Sequence, residues 1–250
     1  MKSEKIYKDF IPFLPFGIET KEQKQFINIF ENFINQERKE DEDIKACLIN
    51  ADTGIGKTIS YLIVLALDYE KNKKKSFIST QTNLLIHQIT EENGPQITKF
   101  FKEKYDIEIK IKPLFSCTNF LDYEIIQNCI NSKNASEELK KTLKELNPEK
   151  HLTIYDVARS GLEFPFPHKI KDFTMLNIET ASKEASETYK KHQKEAKEAA
   201  IVVTNHSNVL SNSTKFNNVL SVPKEPVNFV FDEADSISNI CYSTYFPHST

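Results

Sequence analysis

Between residues 46 and 67 an apolar run, Ala46-Cys47-Leu48-Ile49, gives way to a polar stretch holding two glycines, and then to a second apolar run from Ile59 to Leu67. A short continuous apolar run suits a buried strand, and the longer one suits a helix enclosed by its neighbours. The alternation recurs downstream. Ser76-Phe77-Ile78-Ser79 predicts a strand and Leu84 to Ile89 a helix, while Ala200-Ile201-Val202-Val203-Thr204 and Val227-Asn228-Phe229-Val230-Phe231 read as strands covered on both faces. Strands alternating with helices predict an α/β fold with a mainly parallel sheet flanked by helices. Ahead of this pattern, Glu19 to Arg38 is an amphipathic helix in which Phe26, Ile29, Phe30, Phe33 and Ile34 recur at helical spacing, with Thr20 and Gln23 placed as a capping box.

The middle of the chain breaks the alternation. Asp106 to Lys112 alternates like a strand, Asn119 to Ile130 and Ser136 to Leu146 look helical, and Gly161 to Pro167 is a proline-broken loop. Thr180 to Ala199 is a helix rich in lysine, glutamate and alanine with a thin apolar face. These features predict a first part of one domain over 1–112, a mostly helical inserted subdomain over 113–197, and the remainder of the first domain over 198–250. The lysine-rich stretch from Glu70 to Lys75 reads as a solvated loop in preference to a nucleic-acid patch.

Composition narrows the function classes. The chain has 250 residues, a net charge of −3 and a pI near 6.1, so no overall basic field advertises a polyanion, and any such site is local. Arg38 and Arg159 are its two arginines, and neither sits in a recognisable motif. The four cysteines, at 47, 117, 129 and 241, form no Cys-x-x-Cys pair and read as free thiols of a reducing compartment. No apolar run approaches the length of a membrane span, and Pro12 and Pro15 interrupt the N-terminal one, so the sequence predicts a cytoplasmic protein with no membrane partner.

The polar stretch Ala51-Asp52-Thr53-Gly54-Ile55-Gly56-Lys57-Thr58 lies where a phosphate-binding loop must lie, between a predicted strand and a predicted helix. Glycines let consecutive N–H groups turn inward, and the helix N-terminus adds its positive end. Thr53, Gly54, Ile55, Gly56, Lys57 and Thr58 are therefore the candidate nucleotide-binding residues. Lys57 would reach the β- and γ-phosphates, and the Thr58 hydroxyl would ligate Mg2+. The bland alternative is a chance glycine turn ahead of a core helix. Far along the chain, Asp232-Glu233-Ala234-Asp235 follows a buried-type strand. Alone it could be a helix cap with first-turn acids. Opposite a phosphate loop it supplies Asp232 for magnesium and Glu233 for the attacking water, because ligands of parallel sheets gather at strand carboxyl ends.

Together these two segments resemble motifs I and II of superfamily 2 helicases, with Ala51 where the general phosphate-loop pattern has glycine. The resemblance narrows to the XPD/DinG branch. Ser79-Thr80-Gln81-Thr82-Asn83-Leu84 is similar to its motif Ia, Ala199 to His206 is similar to the segment preceding its motif II, and Thr20-Lys21-Glu22-Gln23 is similar to its Arg-x-x-Gln motif with lysine replacing arginine. The resemblance implies a RecA-like phosphate-loop NTPase domain, the first motor domain of an ATP-dependent DNA helicase moving 5′ to 3′. It implies Gln23 near the nucleotide, Thr80 and Thr82 on the backbone of single-stranded DNA, and Asn205 and His206 along the DNA or interdomain face. Thr80 to Asn83 also suit an ordinary helix cap, and His206 a hydrogen-bonded strand end. ATP and Mg2+ are the implied cofactors.

Two departures shape the expectations. The branch carries four cysteines around an iron–sulfur cluster within this middle interval, where the present chain has only Cys117 and Cys129, so no cluster is expected. Cluster-lacking relatives include DinG-like helicases of type IV CRISPR systems, which suggests a CRISPR ribonucleoprotein complex as partner. Family members also continue into an arch and a second RecA-like domain, and this sequence reads as the first half alone, weak or inactive in hydrolysis by itself. The residues leave RNA open beside DNA, and leave open another phosphate-loop hydrolase or kinase, or a non-catalytic nucleic-acid-binding fragment.

Overall fold

The computed structural model describes residues 3–13, 20–36, 45–52, 54–165, 167–213 and 227–245. They form two compact units, one from 1–113 with 197–250 and the other from 114–196. Among the described residues of the first unit are helices α1 (Ser3–Phe10), α2 (Lys21–Asn35) and α3 (Lys57–Asn72), strand β1 (Ser76–Thr80), helices α4 (Asn83–His87) and α5 (Gly94–Tyr105), and strand β2 (Ile111–Pro113). The second unit holds α6 (Tyr123–Asn131), α7 (Glu137–Lys144), α8 (Ile154–Ser160) and α9 (Lys183–Glu198), the last ending in the first unit. The chain then adds β3 (Ile201–Asn205), α10 (His206–Ser213), β4 (Asn228–Phe231) and α11 (Ile237–Tyr245) to the first unit.

The four strands make one sheet in the order β2-β3-β1-β4, and every pairing is parallel. Ser79 of β1 lies level with Thr204 on one side and Phe231 on the other, which brings three carboxyl ends to one edge. The apolar centres of β1 and β3 are enclosed, with Phe77, Ile78, Ile201, Val202 and Val203 all buried, whereas β4, expected to be covered on both faces, lies at the end of the strand order with Phe229 and Phe231 39% and 40% exposed. Helix α3 is buried over most of its length, from Ile59 to Ala66, as its unbroken apolar run requires, and α1 and α2 pack on it. This is an α/β fold with a parallel sheet flanked by helices, the arrangement of a RecA-like domain, together with a mostly helical unit between β2 and β3.

The amphipathic helix forms as α2 with its capping box: the Thr20 hydroxyl accepts from Gln23 N, and the Gln23 side chain accepts from Thr20 N at 2.8 Å. Its buried face is Phe26, Ile27 and Phe30, while Ile29 is 41% exposed, so the apolar stripe is rotated from the expected one. The largest correction concerns Ala46 to Ile49. No strand forms there among the described residues, and Leu48 is 90% exposed. A strand exists only by sharing hydrogen bonds with a neighbour, and residues 45–50 join none of the four ladders. Lys45 is instead tied to the end of α2, its Nζ donating to Phe33 O at 2.8 Å and Gln36 O at 3.1 Å.

Two smaller differences have equally local causes. The alternation from Asp106 yields a strand only at Ile111, because its first residues stop α5. Asp106 takes a left-handed conformation and donates to Lys102 O, while Ile107 N reaches Phe101 O at 3.1 Å, a Schellman closure. Glu70 to Asn72 belong to α3, so the lysine loop begins at Lys73, again left-handed. The second unit is organised around Leu121, Ile126, Leu139, Leu143, Leu146, Ile154, Val157 and Phe173, and its Cys117 and Cys129 are free and partly buried. Among the described residues, no helix is long and apolar enough to cross a membrane.

Candidate nucleotide site and strand-end network

Gly54 and Gly56 both sit at positive φ, +80° and +77°, where a side chain is strained. Gly56 precedes the first residue of α3, and its carbonyl accepts from Ser60 N at 3.1 Å, so the helix begins directly out of the glycine turn. A Cβ on Gly56 would lie 2.9 Å from Gln23 Nε2. Gln23, placed near the nucleotide by resemblance alone, thus lies against the glycine loop. Lys57 and Thr58 open the helix, and the Lys57 ammonium rests on the carbonyls of Ala51 at 2.8 Å and Asp52 at 3.2 Å. Ile55 is partly buried, and Thr53 lies outside the described residues.

Asp232 follows β4 directly. Its N–H donates to Ser79 O at 2.8 Å, continuing the ladder by one bond and fixing where its carboxylate leaves the sheet. That carboxylate accepts the Tyr61 hydroxyl at 3.0 Å. The buried Tyr61 comes from α3, one helical turn after Thr58, so the loop's helix and the acidic box touch despite their separation of 171 positions. Burial, reinforced by the facing Asp232 carboxylate, holds the Tyr61 hydroxyl well above its ordinary pKa and therefore protonated. Glu233 is exposed and left-handed, with φ 57°, and begins the short turn Ala234–Ser236. The residues fit Mg2+ and a polyphosphate: two glycine-shaped turns, a lysine and a threonine at a helix start, and the Asp232 carboxylate tied to that helix by Tyr61.

The residues expected on a nucleic acid divide into buried and exposed. Thr82 is exposed and caps α4, its hydroxyl accepting from Leu85 N at 3.3 Å. Asn205 is half-buried, donating to Asn83 Oδ1 at 2.7 Å and accepting from Asn208 N. Thr80 and His206 are wholly enclosed, so neither side chain presents itself to a strand in this structure. Thr80 ends β1 in the middle of the sheet, and His206 opens α10 directly after β3. Thr80 donates to Thr82 O at 3.0 Å. His206 Nδ1 pairs with Ser79 Oγ at 2.6 Å, and its ring lies 6.1 Å from that of Phe231. Burial pushes the His206 pKa down, against the opposing pull of the Asp232 and Glu233 carbonyls, which keeps the imidazole neutral at pH 7.

Sequence reasoning missed Tyr61, Ser79 and Asn83 as members of this constellation. Tyr61 was one residue of an apolar run, yet its place three positions after Thr58 put both on one helix face.

Fold and strand-end geometry together define the class as an α/β domain of RecA-like arrangement, with a glycine turn and an acidic box at one sheet edge. No known family profile matches the chain. Over 54 residues it is 48% identical to the 3′-5′ exonuclease DinG of Bacillus subtilis (strain 168), a match covering 22% of this chain and 6% of that protein. The chain is thus DinG-like over a short segment.

Proposed function

We propose that this chain is the ATP-binding motor domain of a DinG-like helicase that couples ATP hydrolysis to movement on single-stranded DNA. The observation that carries this reading is the Tyr61 bond to Asp232, which joins the helix of the glycine turn to the acidic box at one edge of a parallel sheet. In this reading Gly54, Gly56 and the α3 N-terminus cradle the phosphates, and Lys57 leaves the Ala51 and Asp52 carbonyls for the β- and γ-phosphate oxygens. Thr58 and Asp232 would hold a magnesium ion, which would supply positive charge against that developing on the phosphates. Glu233, exposed beyond the sheet edge, orients the attacking water and takes its proton. Gln23, against Gly56, reads the nucleotide.

Thr82 and Asn205 offer side chains at the carboxyl ends of β1 and β3 to a phosphodiester backbone, while Thr80 and His206 shape that edge from beneath. The 5′ to 3′ direction and a CRISPR ribonucleoprotein partner rest on resemblance in sequence, and no feature of the fold adds to them.

The test is ATP hydrolysis by the natural polypeptide with and without single-stranded DNA. DNA should stimulate it, and Lys57→Ala and Glu233→Gln should each lower kcat by about 100-fold or more. Hydrolysis unchanged in both variants would overturn the assignment, and hydrolysis indifferent to DNA would point to another phosphate-loop enzyme.

A further inference from the structure

We infer that Tyr61 is a positioning residue for the metal half of the nucleotide site, holding the Asp232 carboxylate through its hydroxyl so that it faces a magnesium ion in fixed orientation; this rests on the function proposed above. Positions 58 and 61 lie one turn apart on α3, so their side chains share a face. The Tyr61 hydroxyl donates to Asp232 Oδ2 at 3.0 Å. Tyr61 is 2% exposed, so water does not compete for this bond.

Holding Oδ2 fixes the plane of the carboxylate and with it the heading of Oδ1, an oxygen donor of the kind a hard dication takes. Tyr61→Phe would leave the ring packed in α3 and free the Asp232 carboxylate to rotate. The arrangement parallels the rule that groups behind metal ligands set ligand orientation, with effects on metal affinity of about 10- to 100-fold.

The experiment measures binding of a fluorescent ADP analogue to wild type and Tyr61→Phe across a Mg2+ titration, with thermal unfolding of the free proteins as a check on folding. The expected result is a half-saturating Mg2+ concentration raised by about 10-fold in the variant, with nucleotide affinity in EDTA unchanged. Equal weakening with and without Mg2+ would overturn the inference, since Tyr61 would then act on the fold alone, and so would an unchanged Mg2+ requirement. Failure of wild type to bind nucleotide at all would take down the proposed function and this inference together, a result distinct from either of the others. Should Tyr61→Phe not fold, the wild-type Tyr61 13Cζ resonance decides: it should move when Mg2+ is added to the ADP complex, and a resonance indifferent to Mg2+ would overturn the inference.

Discussion

The two flanks of the nucleotide site are built on opposite principles. The acidic flank is held by shared structure: a parallel ladder continued through Asp232 N, a buried Ser79 to His206 bond, and Tyr61 reaching across from α3. The glycine flank is held by helix ends: Lys45 on the last carbonyls of α2, the α2 capping box beside Gly56, and α3 starting out of the turn. Caps and helices need only their own neighbourhood in sequence, whereas a strand needs a partner far along the chain. A flank made of caps can therefore assume its shape without a strand beneath it.

That contrast can be broken or sharpened by substitution, beginning where the effect is largest. Asp68, near the end of α3, is buried and accepts from Asn72 at 2.7 Å and from the buried Asn228 of β4 at 2.7 Å. Asp68→Ala strands the Asn228 amide where α3 meets the start of β4, and should cost about 2–4 kcal/mol, read as a lowered midpoint of chemical denaturation. A loss below 1 kcal/mol would mean that the shared-structure flank is less cooperative than its bonds imply.

Gly56→Ala should cost about 1–2 kcal/mol, since the new Cβ combines a positive φ with a 2.9 Å approach to Gln23 Nε2. The same substitution should weaken nucleotide binding by more than its stability loss explains, and equal effects on both would separate Gln23 from the site. Smallest of all, Leu48→Ser should change stability by no more than about 0.5 kcal/mol, the ordinary effect of an exposed substitution. A loss above about 1.5 kcal/mol would show that residues 46–49 pack as a strand in solution, and the contrast between the flanks would collapse.

The same division explains what the sequence made legible. Strands β1, β3 and β4 were readable because each holds a short apolar run bounded by polar residues, and α2 because a capping box marks the start of its helical spacing. The run Ala46 to Ile49 carried an equally apolar pattern and misled, since pattern records what a segment could bury and not whether a partner ladder receives it. Spacing put Gly54, Gly56 and Lys57 at a helix start and Asp232 at a strand end, and the structure has them there. Tyr61 and Ser79 were not, because the first looked like helix core and the second like strand filler, and their meaning arises only when α3, β1 and β4 meet. Thr80 and His206 show the converse: residue type suggested contact with a ligand, and register enclosed them.

Glu233 carries a last consequence. A glutamate at φ 57° occupies a region that suits glycine, at a disadvantage of about 1–2 kcal/mol for a side-chain-bearing residue. The kink ends the β4 direction immediately after Asp232 and leads into the short turn Ala234–Ser236. Selection for a durable fold alone would favour glycine at 233, and selection for turnover would favour the acid. The residue best suited to ease the backbone is the one that would silence the proposed chemistry.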